Sequence, residues 1–101
     1  MVIIKDSSIH GKGVFSTEFI PKGTILKCDI LEIEKHRMVN DYLFPFIGHR
    51  VCVCIGFGSF LNSSQKPNIK RLGVDAEKMV MGFEAIKDID PDEELLLRYL
   101  A

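Results

Sequence analysis

Short segments in which apolar and polar residues alternate predict a chain built mainly of β-strands. Alternation places successive side chains on opposite faces of a strand, so one face can be buried while the other is solvated. Segments of this kind occupy residues 2–5, 24–34, 50–55, 69–74 and 78–85. Residues 75–77 join the last two segments into a predicted hairpin, with Met79, Met81 and Phe83 on one face of its second strand.

The alternation slips within residues 24–34. Leu26, Cys28 and Ile30 share one face, and then Leu31 and Ile33 share the other. An extra residue at a β-bulge produces such a slip, so we expect a bulge in this strand. Residues 36–46 show no regular period and are predicted to form a loop, with a helical turn over residues 41–44 that ends before Pro45.

Residues 56–68 follow neither a strand nor a helix pattern. Their two glycines permit positive φ or a close backbone approach, and Pro67 excludes a continuing helix. Because Phe57, Phe60 and Leu61 are spaced through the segment, we expect it to pack onto the core. A buried irregular segment must satisfy its polar groups internally, and Asn62 and Asn68 each offer a donor and an acceptor for that purpose. A plain loop between two strands is the alternative interpretation.

Size and composition narrow the classes of function. The 101 residues are expected to form one domain over residues 1–101, and 47% hydrophobic with 27% charged residues is typical of a soluble protein. The net charge of −1 gives no reason to expect nucleic acid or an anionic membrane as a partner. No apolar run approaches the ~20 residues that span a bilayer, and residues 1–6 lack the features of a signal peptide. We therefore expect an intracellular protein.

The three cysteines predict reduced thiols, since an odd number with one closely spaced pair makes a poor disulfide framework. In a strand, Cys52 and Cys54 would point to the same face, which suits a metal ion. However, Cys28 and the three histidines add no recognised zinc spacing, so no bound metal is expected.

Three motifs resemble those of one family in the same order along the chain. Residues 62–68 read Asn-Ser-Ser-Gln-Lys-Pro-Asn, which resembles the Asn-His-Ser-x-x-Pro-Asn motif of SET-domain protein lysine methyltransferases. The turn Gly11-Lys12-Gly13, followed by residues 20–24, resembles the start of SET domains, although a plain turn is the default for Gly-x-Gly alone. Residues 88–99 resemble the last SET motif, in which Glu-Glu-Leu precedes a tyrosine at fixed spacing.

The sequence departs from the family pattern at two positions within these motifs. Ser63 stands where the family has histidine, and Asp92 stands where the family usually has glycine. Asp tolerates left-handed backbone geometry better than most residues, so the second departure should cost little. The short connection at residues 36–46, and the few residues after Tyr99, resemble the minimal SET proteins of viruses and bacteria, which lack pre-SET and post-SET segments.

The resemblance implies a mostly β SET domain, β-clip-like, with short curved sheets and a knot-like site at the C-terminus. It also implies methyl transfer from S-adenosylmethionine to a lysine, with Tyr99 as the catalytic tyrosine. Gly11, Lys12 and Gly13 would approach the cofactor, and Asn62 and Ser63 would hold its adenine and amino-acid ends. Tyr42 and Phe57 are candidates for binding the substrate. A tyrosine packed in the core is the alternative for both Tyr42 and Tyr99.

The resemblance and the charge pattern together suggest partners. Acidic residues crowd the turn before Tyr99 (Asp88, Asp90, Asp92, Glu93 and Glu94), which favours a basic, histone-like or ribosomal peptide as substrate, although a solvated acidic turn is the alternative. Residues 95–97 and Leu100 are apolar, so a homodimer that covers them is expected. Location in the cytoplasm, or in the nucleus of a host cell, follows from the same resemblance. The competing hypotheses are a catalytically silent domain that binds cofactor or a protein partner, and a purely structural β-clip protein.

Overall fold

A computed structural model describes residues 1–33, 43–47 and 50–98 of the chain. The described residues form almost entirely β structure, which confirms the predicted class. The strands are β1 (Val2–Asp6), β2 (Lys12–Ser16), β3 (Ile25–Ile33), β4 (Leu43–Pro45), β5 (Val51–Ile55), β6 (Asn62–Ser63), β7 (Ile69–Asp75), β8 (Val80–Ala85) and β9 (Leu96–Leu97). One 3₁₀ helix, Phe57–Phe60, lies between β5 and β6.

Within the described residues, the strands form three small sheets. A five-stranded antiparallel sheet has the order β4-β5-β3-β8-β7, and β1 pairs with β2 in a second antiparallel sheet. The third sheet contains only β6 and β9, which run parallel. Because β6 and β9 are distant in sequence, their pairing joins the middle of the chain to its C-terminal part.

Strand β3 shows why alternation predicted the sheet and where the prediction of a bulge failed. Leu26, Cys28 and Ile30 are buried, as the pattern predicts, but Leu31 is 54% exposed. The strand pairs in unbroken register with β8 and then with β5, so the slip in the pattern is an exposed apolar side chain and the predicted bulge is wrong. The irregularity in this sheet lies in β7, between Arg71 and Val74.

The hairpin of β7 and β8 is confirmed. Met81 and Phe83 are buried on one face of β8, whereas Met79 has φ +55° and belongs to the turn, before the strand begins. The Asp75 carboxylate shapes this turn by accepting hydrogen bonds from the amides of Glu77 (3.1 Å) and Lys78 (3.0 Å).

Phe83 lies at the centre of the core. The Phe44 and Phe57 rings meet it edge-on, with centroid distances of 6.3 and 5.8 Å. Leu61 is fully buried, but Phe60 is 38% exposed, so the expected packing of Phe60 onto the core is wrong. The loop predicted for residues 36–46, with its helical turn, is wrong over residues 43–45, which form a strand paired with β5; residues 34–42 lie outside the described residues.

Two similar turns pair with each other and bring the C-terminal part of the chain beneath β2. Ile20 and Ile89 exchange backbone hydrogen bonds of 2.8 Å in both directions. Each is followed three residues later by a left-handed residue, Gly23 at φ +93° and Asp92 at φ +68°. Asp92 thus adopts the conformation in which glycine is favoured, as its position in the motif predicted.

Candidate active site

Three segments that are far apart in sequence meet beside β2. Backbone hydrogen bonds tie residues 92–95 to β2: Asp92 N to Ser16 O (2.8 Å), Ser16 N to Glu93 O (2.9 Å) and Leu95 N to Val14 O (2.7 Å). The chain then enters β9, which pairs with β6, and the Ser64 amide donates to Leu97 O at 3.0 Å. The glycine turn at residues 11–13, the Asn-Ser-Ser segment and the C-terminal segment therefore form one site.

Asn62 fastens the glycine turn to the rest of this site. Its side chain is buried, with 4% exposure, and Nδ2 lies 3.1 Å from both His10 O and Lys12 O. The same Nδ2 lies 2.9 Å from Oε2 of Glu94. The two N–H groups of the Asn62 amide thus serve three acceptors: the carbonyl groups on either side of Gly11, and the Glu94 carboxylate beside Gly13.

Glu94 occupies the space that the missing side chain of Gly13 leaves. A Cβ built on Gly13 would collide with Glu94 Oε2 and would lie 2.9 Å from Glu94 Cδ and 3.0 Å from Ser7 Cβ. The carboxylate accepts hydrogen bonds from Ser7 Oγ, at 2.8 Å to Oε1 and 3.0 Å to Oε2. Gly13 is therefore required for a close approach of this carboxylate to the turn.

Asn68 supports the same site from the other side of β9. It is 4% exposed, its Nδ2 donates to Glu94 O at 2.8 Å, and its Oδ1 accepts the Leu96 amide at 2.7 Å. Because both ends of its amide are used, Asn68 fixes the backbone where the C-terminal segment passes into β9. The two asparagines of the motif thus satisfy polar groups of a buried irregular segment, as predicted.

The outer surface of the glycine turn is open. Gly11 has φ +46°, and a Cβ built on it would meet no atom within 4 Å. The Lys12 ammonium lies 2.6 Å from Asp6 Oδ1, and this hydrogen bond holds the pKa of Asp6 below its ordinary value. Ser63 is exposed beside the turn. A polar ligand can therefore reach main-chain groups of the turn, which is fixed from behind by Asn62.

The structure brings together the five residues that the sequence assigned to the cofactor: Gly11, Lys12, Gly13, Asn62 and Ser63. It places Phe57 elsewhere, half-buried against Phe83. Tyr42 and Tyr99 lie outside the described residues.

Sequence reasoning missed the roles of Ser7 and Glu94. The sequence places Glu94 in the Glu-Glu-Leu motif and in an acidic turn, but it does not predict that the Glu94 carboxylate is hydrogen-bonded inside the site. Two other acidic residues of that turn are also engaged: Asp88 Oδ1 accepts the Lys22 amide (2.8 Å), and Glu93 Oε1 accepts the Asp90 amide (3.0 Å). The signal in the sequence is the Glu-Glu-Leu motif, which contains Glu94 but does not distinguish it from Glu93.

A pair of buried thiols lies behind the 3₁₀ helix. Cys28 Sγ accepts the Gly58 amide (3.4 Å) and lies 3.0 Å from Ile55 O. The Cys54 S–H donates to Cys28 and, with the Gly58 amide, lowers the pKa of Cys28 to about 7 against the effect of burial, whereas the pKa of Cys54 is raised. In the described part of the chain, His, Cys, Asp and Glu side chains nowhere gather in threes that could hold a metal ion.

The fold and the site define a class of small β proteins in which a C-terminal segment passes beneath a glycine turn and beside an Asn-containing loop. The family model for the SET domain matches residues 11–100, so the chain belongs to the SET-domain family. The expected family and fold are thereby confirmed.

Two similar proteins are histone methyltransferases by name. The chain is 26% identical over 107 residues to the Schizosaccharomyces pombe histone-lysine N-methyltransferase specific for lysine-37 of histone H3, covering 95% of this chain and 71% of that protein. A Plasmodium falciparum structure, assigned as a histone methyltransferase, superposes with a TM-score of 0.83 and 29% identity, covering 98% of this chain and 92% of the other.

A more distant solved structure shows the fold alone. The methyltransferase domain of human PR domain-containing protein 2 superposes with a TM-score of 0.72 at 19% identity, covering 95% of this chain and 74% of that one. In the described residues, no helix has the length and apolar character needed to cross a membrane.

Proposed function

We propose that this protein is an S-adenosylmethionine-dependent protein-lysine N-methyltransferase whose substrate is a basic, histone-like peptide segment. Membership of the SET family and the histone methyltransferase relatives support the activity. The observation that carries the proposal is the clamp on the glycine turn: buried Asn62 binds the carbonyl groups on both sides of Gly11 and also Glu94. The clamp leaves the outer face of the turn open to a ligand.

Five residues would hold the cofactor. The main chain of Gly11, Lys12 and Gly13 would line one side, and Asn62 and the main chain of Ser63 would line the other. S-adenosylmethionine, when bound, supplies an electrophilic methyl group on a positively charged sulfur.

A serine at position 63, where the family has histidine, is compatible with cofactor binding. Ser63 lies in β6 and is held by the parallel pairing of β6 with β9, which depends on backbone groups and not on the side chain. Its contribution to the cofactor site through the main chain therefore does not require histidine.

Lysine methylation needs a neutral amine aligned with the methyl group and little further acid–base chemistry, so positioning supplies most of the rate. A free lysine has a pKa of about 10.4. Desolvation and a nearby positive charge both lower that pKa and favour the neutral amine. We propose that the Tyr99 hydroxyl orients this amine and that Tyr42 and Phe57 contribute to binding the substrate. Tyr99 follows β9 by two residues, and Leu97 O is held by the Ser64 amide at 3.0 Å.

We also propose one domain over residues 1–101, an intracellular location in the cytoplasm or the nucleus of a host cell, and a homodimer. Leu95 and Leu97 are buried within the chain, so they do not form the exposed apolar surface that was expected to favour a dimer. Its support is now the outer face of the five-stranded sheet, where Leu31 and Ile55 are each 54% exposed. Light scattering should give twice 11.4 kDa, and a monomer at micromolar concentration would remove the dimer from the proposal.

Calorimetry with S-adenosylmethionine, followed by mass spectrometry of core histones incubated with isotope-labelled cofactor, tests the activity. We expect saturable binding and a labelled methyl group on a histone lysine. A ligand that binds the native state must also raise the melting temperature, which gives a check independent of turnover. Binding without methyl transfer to histones or to a lysine-rich protein mixture would favour the catalytically silent domain. Absence of binding at millimolar ligand would refute the proposal.

A further inference from the structure

A groove with an apolar floor and a basic rim lies beside the C-terminal strand. It has a volume of about 300 Å³ and is separate from the glycine turn. Ile69, Ile86 and Leu97 supply apolar surface, and Arg71 and Arg98 supply two positive charges. Lys70 also lines the groove, but its side chain points to the opposite face of β7 from Ile69 and Arg71. None of the described residues that line it is acidic. This concentration of one sign of charge contrasts with the net charge of −1 of the whole chain.

The three cations differ in how far they are already paired. Lys70 Nζ lies 3.4 Å from Glu84 Oε1, so its charge is partly compensated. Arg98 Nη2 donates to Gln65 O at 2.9 Å, which orients the guanidinium without neutralising it. Arg71 is exposed and has no carboxylate within ion-pair distance among the described residues. Arg71 and Arg98 therefore keep their charge available for an anion.

The groove is placed where a peptide can reach both it and the C-terminal end of β9. Strand β7 forms one wall and is an edge strand, paired only with β8 in the described part of the chain. Its outer N–H and C=O groups over residues 69–71 can accept an added strand, whereas the irregularity after Arg71 ends the regular edge. Arg98, on the opposite wall, directly precedes Tyr99 in the sequence.

We propose that this groove binds a carboxylate side chain of the peptide substrate close to the target lysine, with Arg71 and Arg98 as specificity-determining residues. This inference rests on the proposed function. The substrate segment is then basic overall but carries an aspartate or glutamate near its lysine. Guanidinium groups suit this role, because their planar donors match the two oxygens of a carboxylate.

The surroundings favour a peptide over a nucleic acid. Among the described residues that line the groove, aliphatic side chains form the floor and none is an aromatic ring that could stack on a base. Charged residues on an edge strand also protect it from aggregation, and this accounts for Lys70 and Arg71. It does not account for Arg98, which comes from outside that strand and is oriented by its own hydrogen bond.

Three fluorescein-labelled peptides provide the test. They share one lysine and differ only in whether Glu, Gln or Lys residues flank it. Exposed ion pairs contribute about 0.2–1 kcal/mol each, so two contacts predict roughly 2- to 30-fold tighter binding of the Glu peptide than of the Gln peptide in fluorescence anisotropy. The Lys peptide should bind most weakly. The preference should shrink as salt is raised.

Substitutions of Arg71 and Arg98 test whether the preference for the Glu peptide arises in the groove. Replacing Arg71→Gln and Arg98→Gln together should abolish the preference for Glu, and Arg71→Glu with Arg98→Glu should reverse it in favour of Lys. Lys78→Glu changes charge by the same amount as one of these reversals, at an exposed turn at the far end of the hairpin, and should leave the preference intact. All variants are compared at equal folded fraction, measured by thermal unfolding.

Binding and methylation of the same peptides separate this inference from the proposed function. A preference for Glu that depends on Arg71 and Arg98, without methylation of any peptide, would support the groove and refute the enzyme. Methylation of all three peptides with equal KM and equal affinity would support the enzyme and overturn the groove. If a single-stranded oligonucleotide of matched charge bound more tightly than the Glu peptide, and through the same arginines, the peptide proposal would also be overturned.

Discussion

Replacing Gly13 by alanine tests whether the glycine turn is shaped by the carboxylate behind it. The new Cβ would occupy the position of Glu94 Oε2 and would lie only 2.9 Å from Glu94 Cδ and 3.0 Å from Ser7 Cβ. The nearest obstacle is the end of a flexible side chain, so the carboxylate is expected to move and not the backbone. Moving it breaks the hydrogen bonds from Ser7 Oγ and Asn62 Nδ2.

The expected cost combines two effects. Overpacking a well-packed site costs about 1–3 kcal/mol. Each hydrogen bond to a charged group contributes about 1.5–3 kcal/mol, but the released carboxylate is partly exposed and regains water, which offsets much of that loss. We expect the free energy of unfolding to fall by about 2–4 kcal/mol, which lowers the melting temperature of a domain of this size by about 10–25 °C.

Urea denaturation with Gly73→Ala as control measures this effect. A Cβ on Gly73 meets nothing within 4 Å, so that variant should change stability by less than about 0.5 kcal/mol. Combining Gly13→Ala with Glu94→Ala removes the obstacle, so the double variant should lose less stability than the sum of the two single variants. Additive losses, or a Gly13→Ala variant as stable as the parent, would refute the steric explanation.

Three further predictions concern the chemistry. Tyr99→Phe should lose most methyltransferase activity but keep cofactor affinity in calorimetry, because only a hydroxyl is removed; full turnover would contradict the catalytic role. Ser63→His should leave the rate of methylation equal or higher, and a large loss would show that the serine side chain itself is needed. Cys54→Ala should raise the pKa of Cys28 from about 7, because it removes the S–H donor and leaves burial as the main influence. In the parent protein, the lowered pKa of Cys28 makes its full contribution to stability at pH values above 9.0, the ordinary pKa of the thiol, and this contribution is lost as the pH falls through about 7. If ultraviolet titration gave the same midpoint for the Cys28 thiolate in both proteins, the assignment would be contradicted.

The strands that sequence analysis predicted are those with a burial pattern of their own. In β3 and β8 three buried positions alternate with outward ones, and this period is visible without knowing the partner strand. Strands β6 and β9 have only two residues each, and a strand of that length is too short to show a period. They exist because asparagine side chains and distant backbone groups hold them, so they could not be predicted from local pattern.

In the candidate site, too, some residues are predicted by local motifs, whereas other contacts are seen only in the folded chain. Gly13 and Asn62 belong to recognisable motifs, and their contact follows once those motifs are placed together. The pairing of Ser7 with Glu94 spans 87 positions and depends on the closure of the whole chain. No local signal indicates which of the neighbouring acidic residues faces inward. The same local sequence is compatible with a solvated Glu94 in a surface turn and with the hydrogen-bonded carboxylate of the structure.

The C-terminal segment links the stability of the fold to ligand binding. Residues 92–97 complete the backbone pairing of both β2 and β6, and the same segment carries Glu94 into contact with Asn62 behind the glycine turn. Closing so long a loop costs chain entropy, which these contacts must offset. A ligand that bridges Gly11 and Ser63 binds only when the segment is in place, so it stabilises the closed arrangement by mass action. Variants that loosen residues 92–97 should therefore lose ligand affinity and thermal stability together, whereas variants on the outer face of the five-stranded sheet should change stability without changing affinity.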